Sequence, residues 1–291
     1  MTDALTISPG TVSKILWHFT GGPSWNTATK RQNVARKPPA EAYANLRSIL
    51  RTRVLRLGGY KEVVSVVLPE RRVMDPKTRK AARKNVPITI ESSAICCVSD
   101  IPAPHLHYHA QRYGKFAVGF HRSAVIRAGF NPVFYTLHDA AIIRSIYEGF
   151  SSVEVADVST ILNAAANIES EVSRVDDDHD DLDLDVTDDV SDIEWEANSI
   201  EETFSTARQS LANFVAFVKT FDRTEFGTIY CEREWRSVKA FQFDVDSIAM
   251  VVLPRRASGV EYFRPFVERI VPALRLPRRV PIVAWDDLVE H

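Results

Sequence analysis

Two periods of hydrophobicity follow each other irregularly along the chain. Aliphatic, aromatic and β-branched runs predict strands at 12–20, 62–68, 94–99, 116–120, 133–137 and 228–238, and a strand-rich stretch at 240–253. Apolar residues spaced by three and four predict helices at 40–53, 106–113, 122–128, 140–148, 153–168, 204–218 and 261–270. Because strands and helices do not alternate strictly, the pattern predicts an α+β fold with a mixed, mostly antiparallel sheet flanked by helices. We expect residues 1–291 to form a single domain.

Two stretches between the predicted elements carry opposite charge. From Lys30 to Lys84 there are sixteen Lys and Arg residues against four Asp and Glu. Residues 69–87 within this part are predicted to form a basic surface loop that could guide a phosphate-bearing ligand or a partner. Residues 176–196 hold twelve Asp and Glu and no Lys or Arg. Since this acidic tract has few core-forming residues, we expect it to be a disordered insertion within the domain.

Composition narrows the class of protein. The chain is 45% apolar and 25% charged, which are ordinary values for a globular protein, and its net charge of −2 argues against coating nucleic acid. The three cysteines form neither a disulfide framework nor a metal-binding spacing. No apolar run reaches the roughly 20 residues of a membrane span. We therefore expect a soluble, cytoplasmic protein that does not bind a membrane.

Two glutamates stand two positions apart in the predicted strand 228–238. On one strand face, Glu232 and Glu234 would lie roughly 6–7 Å apart. Two carboxylates at that distance are unfavourable without nearby cations, so such pairs often mark sites of tuned acidity. The neighbouring Arg233 and Arg236 could instead make the strand a structural ladder of ion pairs. A reactive site and an ion-pair ladder are both compatible with the sequence.

Histidines supply the other candidate chemistry. His18 falls at the end of the first predicted strand, where it would face a cleft, either bonded to a neighbouring carbonyl or orienting a ligand. His105, His107 and His109 alternate, and on a strand all three could reach one metal ion. This segment is predicted to be helical, which would spread the three rings apart. We therefore predict no metal site, and a metal-dependent hydrolase is only a distant hypothesis.

Four segments together resemble the AbiGi family of abortive-infection proteins, which is usually described as the antitoxin side of a phage-resistance pair. They are Leu16–Thr20, Cys97–Pro102 with His109, Tyr113–Phe120 with Gly129–Val133, and Glu232–Arg236. The resemblance implies a role in phage defence and a cognate toxin or antitoxin protein as partner.

The same order of motifs is similar to that of ADP-ribosyltransferases, including DarT-like toxins. This resemblance implies an ADP-ribosyltransferase-like fold and an NAD cofactor. It further implies that His18 and Thr20 bind NAD, that Tyr108 or Tyr113 stacks on nicotinamide, and that Glu234 and Glu232 are catalytic. A fixed carboxylate would stabilise the cationic transition state of C–N bond cleavage. The Ser-Thr-Ser element that such enzymes carry is absent.

Two functions follow from these resemblances. The first is an NAD-dependent ADP-ribosyltransferase of phage defence that modifies a protein or nucleic-acid acceptor. The alternative is a non-catalytic antitoxin or regulatory partner of a toxin–antitoxin-like pair. Under the first function, His18 and Glu234 should lie in one cleft although they are far apart in the sequence.

Overall fold

The computed structural model describes residues 13–29, 31–74, 81–154, 186–224 and 232–289. The strands are β1 (Ile15–Phe19), β2 (Trp25–Asn26), β3 (Arg31–Gln32), β4 (Val54–Leu55), β5 (Val63–Met74), β6 (Ala81–Glu91), β7 (Cys96–Ser99), β8 (Ala117–His121), β9 (Asn131–Pro132), β10 (Phe134–Leu137), β11 (Val218–Phe221), β12 (Glu234–Ser237), β13 (Phe241–Gln242), β14 (Ile248–Leu253), β15 (Arg256–Ala257), β16 (Val260–Glu261) and β17 (Ile282–Ala284). The α-helices are α1 (Pro39–Thr52), α2 (Leu106–Tyr113), α3 (Arg122–Arg127), α4 (Ala141–Glu154), α5 (Val186–Val215), α6 (Phe263–Pro265), α7 (Val271–Ala273) and α8 (Trp285–Val289). Short 3-10 turns span Ala103–His105 and Val245–Ser247, and a π-helical turn, Phe266–Ile270, joins α6 to α7.

The chain, predicted as one domain, divides into two compact units. The first comprises residues 1–63, 91–138 and 215–291, and the second comprises 64–90 and 139–214. The first unit holds the large sheet and every candidate site residue that lies in a described strand or helix.

A seven-stranded sheet organises the first unit. Its strand order is β17-β14-β8-β1-β7-β12-β9, and its strands pair antiparallel except for the parallel pair β14 and β17. A separate parallel pair joins β10 to β11. The predicted α+β class with a mixed, mostly antiparallel sheet is therefore confirmed, whereas its likeness to ADP-ribosyltransferases stays a prediction.

Apolar residues cover both faces of this sheet, because alternate positions on each strand point to opposite faces. Leu16 of β1 belongs to the larger core, which includes Leu46 of α1. The next residue, Trp17, belongs to a second core with Leu106 of α2. Gly119 in β8 faces this second core and permits close packing, because a Cβ there would lie 2.6 Å from Ile15 Cγ2 and 3.0 Å from the Trp17 ring.

The first strand and its neighbour β7 separate soon after they meet. Five residue pairs join β1 to β8 and four join β12 to β7, but β1 and β7 are in register only at Trp17 and Ser99. Past that pair, the His18 side chain bonds to the carbonyl of Cys97 and no further ladder pair joins the two strands. This separation creates an opening in the middle of the sheet.

The second unit departs from the sequence prediction. The residues predicted as the basic loop 69–87 belong to β5 up to Met74 and to β6 from Ala81, and these two strands pair with each other. The loop prediction is thus wrong for 69–74 and 81–87, because the basic residues of this stretch hid the strand pattern. Disorder was also expected over 176–196, yet 186–196 form the first turns of α5. Residues 176–185 lie outside the described part.

Several element boundaries also differ from prediction. The helix predicted over 204–218 begins earlier, at Val186, and ends at Val215, and β11 follows. The break predicted at Gly149 does not occur, because α4 continues through it. The long strand predicted over 228–238 is described as a strand only from Glu234 to Ser237, while 225–231 are outside the described residues.

Candidate functional site

A cleft of about 460 Å³ occupies the opening between β1 and β7. Its wall is formed by the end of β1 with the turn that follows it, one side of α1, strand β4 with the residues after it, and strand β7. Polar residues from α2, β11 and the start of β12 complete it. Its lining residues include Trp17, His18, Phe19, Thr20, Gly22, Lys37, Asn45, Ser48, Ile49, Val54, Arg56, Tyr60, Cys97, Ser99, His109, Tyr113, Lys219, Glu232 and Glu234.

His18 is neutral and presents one free ring nitrogen to this cleft. Its Nδ1 lies 2.9 Å from the carbonyl oxygen of Cys97. Since a carbonyl only accepts, Nδ1 carries the proton and Nε2 is an acceptor. Burial lowers the pKa of His18, and the charge of Lys37 lowers it further, against the opposing effect of the Cys97 bond. The predicted carbonyl partner is thus present, and the ring also lines the cleft.

Glu234 is held by two cations. Its Oε2 accepts from Nη2 of Arg236 at 2.7 Å and lies 3.4 Å from Nζ of Lys219. Burial raises the pKa of Glu234, but Arg236 and Lys219 outweigh that effect and hold the pKa well below its usual range. The neighbouring Cys97 thiol also lowers the pKa of Glu234. Glu234 is therefore a fully ionised, hydrogen-bonded carboxylate.

Glu232 has its own partners. Its Oε2 accepts from Lys219 Nζ at 2.6 Å, and its Oε1 accepts from the Tyr113 hydroxyl at 2.8 Å and from Nη1 of Arg112 at 3.2 Å. Its side chain is only 8% exposed. One ammonium group, that of Lys219, thus links the two glutamates.

These side chains form one charged network. Arg236, which is fully buried, also donates from Nη2 to Glu62 at 2.6 Å and from Nη1 to the Ala216 carbonyl at 2.8 Å. We define the charged network as three carboxylates and three cations: Glu62, Glu232, Glu234, Arg112, Lys219 and Arg236. Its formal charge is zero, so the two glutamates are compensated as the ion-pair alternative predicted. Sequence reasoning missed Lys219, because nothing in the chain marks it as the residue that joins them.

The opposite side of the same segment carries a second ion pair. Arg233 has a left-handed backbone with φ of 41°, and its Nη2 donates to Oδ2 of Asp100 at 3.1 Å. Nη2 of Arg122 lies 2.8 Å from the same oxygen, and this guanidinium also lies over the Trp235 ring. The ion-pair alternative named Arg233 beside Arg236, and in the structure the Arg233 guanidinium pairs with Asp100. Its left-handed backbone directs the guanidinium to Asp100.

Tyr113 is tightly enclosed. The His109 ring stacks on it at 4.3 Å between centroids, and the guanidinium of Arg112 lies 5.5 Å from its centre. A Cβ on Gly22 would stand 2.7 Å from Tyr113 Cδ1, so this turn position must be glycine. Burial lowers the pKa of His109 to about 4, despite the opposing charges of Glu232 and Glu234. Tyr113 lines the cleft with its ring already covered by protein groups.

The remaining predicted cofactor residues differ in location. Thr20 is buried, and its hydroxyl donates to the Ala42 carbonyl at 2.7 Å, which ties the end of β1 to α1. Tyr108 is 66% exposed, packs on His107 and does not line the cleft. The structure therefore brings together His18, Thr20, Tyr113, Glu232 and Glu234, and leaves Tyr108 outside.

Two further features concern metals and membranes. The predicted helix 106–113 is confirmed as α2, and His107 bonds to the Pro104 carbonyl while His109 faces the cleft. The described residues contain no cluster of three His, Cys, Asp or Glu side chains placed to hold a metal ion. No helix among them is both long enough and apolar enough to cross a membrane.

The fold and site define an α+β protein whose split sheet encloses a charge-compensated cleft. A family model described as "Putative abortive phage resistance protein AbiGi, antitoxin" matches residues 61–257, which is more than half of the chain. The chain therefore belongs to the AbiGi family. The match includes both glutamates, whereas His18 precedes it. No curated protein and no solved structure matches the chain significantly, and the DarT-like resemblance stays a prediction.

Proposed function

We propose that this protein is the antitoxin of an abortive-infection pair and that it neutralises a toxin protein by binding rather than by catalysis. The observation that carries the proposal is the family match, since the family is described as the antitoxin of a phage-resistance system. A cognate toxin is then the partner.

The charged network supports a role without catalysis. A catalytic carboxylate stabilises a cation only if its charge is available to the reacting atoms. Glu234 already faces Arg236 and Lys219, and Glu232 faces Lys219 and Arg112. These contacts compensate both charges before any substrate binds.

Co-expression tests the proposal. The toxin of the same abortive-infection pair is induced in a bacterial host with this chain or with an empty vector, and colony-forming units are counted. We expect the chain to restore growth and to elute with the toxin in size-exclusion chromatography. Growth arrest despite soluble expression of the chain would refute the antitoxin role.

A second candidate, an NAD-dependent ADP-ribosyltransferase, is favoured by one specific observation. His18 and Glu234 line the same cleft, as we predicted, and Cys97, whose carbonyl accepts from His18, lines it as well. In this function His18 would orient the NAD ribose and Glu234 would face the developing cation. The acceptor would be a protein or a nucleic acid.

An NAD⁺-consumption assay separates the two candidates. The transferase predicts turnover, with and without the toxin, that is lost in His18→Gln. The antitoxin predicts growth rescue with no consumption of NAD⁺ above a heat-denatured sample. Turnover by the intact protein would overturn the non-catalytic assignment.

A further inference from the structure

The cleft carries two cations that the charged network does not use. Lys37, which is half-buried, and Arg56, which is exposed, both line it. Neither forms an ion pair with an acid of the described residues. Because the network itself is neutral, Lys37 and Arg56 give this cleft an excess of positive charge. An excess of positive charge in a concave site favours an anionic ligand.

Hydrogen-bonding groups without a protein partner accompany these cations. Nε2 of His18 is an acceptor, since Nδ1 holds the proton, and it makes no hydrogen bond with the described residues. The Ser48 hydroxyl on α1 also lines the cleft and makes no hydrogen bond with those residues. A ligand that supplies a hydroxyl donor would satisfy His18, and Ser48 can either donate or accept.

The volume of the cleft and the apolar part of its wall limit the class of ligand further. A volume of about 460 Å³ exceeds what inorganic phosphate needs and lies within the usual range of small-molecule sites. Ile49 and Val54 give one side an apolar surface against which a flat ring can pack. A ligand with phosphate, hydroxyl groups and a flat ring matches all three parts of this wall.

We propose that the cleft binds a nucleotide, with its phosphates against Lys37 and Arg56 and a ribose hydroxyl donating to Nε2 of His18. We assign the phosphates to Lys37 and Arg56 because these cations have no acidic partner among the described residues, whereas the charges of Glu232 and Glu234 would repel a phosphate. NAD⁺ is one member of this class, so the inference deepens the second candidate function. Binding itself requires no turnover and is equally compatible with an antitoxin whose affinity for its partner responds to a nucleotide.

Calorimetric titration of the full-length protein tests the proposal. The probes are ADP, GDP, UDP and NAD⁺, with adenosine and inorganic phosphate for comparison. We expect at least one nucleotide to bind, and to bind more tightly than adenosine or phosphate alone. Lys37→Gln and Arg56→Gln should each weaken that binding about tenfold, since each removes a charged hydrogen bond.

Matched variants identify the cleft as the site. Lys115→Gln and Arg51→Gln remove exposed cations outside the cleft and should leave the dissociation constant unchanged. Failure of all four nucleotides to bind would overturn the proposal, as would unchanged affinity in the double variant Lys37→Gln/Arg56→Gln. Adenosine binding as tightly as ADP would also overturn it. Growth rescue depends on none of these results, so the inference can fail while the antitoxin function stands. NAD⁺ turnover by a protein whose nucleotide affinity is unchanged in the double variant would overturn the inference while the transferase function stands.

Discussion

Replacing Arg236 with Met should be among the most destabilising single changes in this protein. The guanidinium is fully buried and donates to Glu62, Glu234 and the Ala216 carbonyl. Methionine keeps much of the volume but leaves two carboxylates and a carbonyl without their donor. Breaking a buried ion pair by removing one partner costs about 3–5 kcal/mol. Lys219 lies 3.4 Å from Glu234 and offsets part of that loss, so we expect the lower end of the range.

The matched control is Arg112→Met. This guanidinium is 49% exposed and pairs with Glu232 at 3.2 Å. Exposed ion pairs contribute roughly 0–1 kcal/mol, so the free energy of unfolding should change little. Urea titration of each variant, followed by tryptophan fluorescence, measures the difference.

A double variant checks the physical cause. If the cost arises from uncompensated carboxylates, adding Glu234→Gln to Arg236→Met should recover part of the lost stability, because it removes one of those charges. The reasoning would be refuted if Arg236→Met had a free energy of unfolding equal to or higher than that of Arg112→Met. A further loss of stability in the double variant would refute it as well.

Two more predictions concern pH and packing. Burial lowers the pKa of His109 to about 4. Below pH 6.5 this imidazole therefore binds a proton in the unfolded chain but not in the folded protein. The free energy of unfolding should therefore fall between pH 7 and pH 4, and His109 should account for at most about 3 kcal/mol of the loss. The urea midpoint of His109→Gln should fall less steeply with pH than that of the parent protein. The urea midpoint of His105→Gln, which changes an exposed histidine, should follow the parent at each pH. Gly22→Ala places a methyl 2.7 Å from Tyr113 Cδ1 and should lower the free energy of unfolding by about 1–3 kcal/mol. At Gly149 in helix α4 an added Cβ would have nothing within 4 Å, so Gly149→Ala should raise the free energy of unfolding by about 0.5–1 kcal/mol. Thermal melting of the two glycine variants checks this, and a higher melting temperature for Gly22→Ala or a lower one for Gly149→Ala would contradict the prediction.

Local patterns predicted the elements that have strong periodicity and clear boundaries. Helix α1, Pro39–Thr52, lies within one residue of the 40–53 that the apolar spacing predicted. Strand β1 and its histidine also lie where predicted. By contrast, β5 and β6 include basic residues in a pattern that resembles a loop. The two strands are stabilised by pairing with each other, and a local sequence pattern does not show such pairing.

The candidate site shows the same division. The spacing of Glu232 and Glu234 correctly predicted two carboxylates close to each other, because one Lys219 ammonium contacts both. The sequence also suggested Arg233 as a possible partner of these glutamates, whereas Arg233 pairs with Asp100. That pairing and the left-handed backbone of Arg233 depend on the tertiary fold. The separation of β1 from β7 could not be predicted from the sequence, because the register between distant strands depends on the whole sheet.

The most direct test of the account is growth rescue by a chain whose cleft histidine has been replaced. His18→Gln removes the imidazole from the cleft and touches no member of the charged network. A non-catalytic antitoxin predicts that this variant, expressed at the same soluble level as the parent, restores as many colony-forming units under toxin induction. Rescue by the parent but not by His18→Gln, at equal expression and with equal toxin binding, would contradict the claim that neutralisation needs only binding.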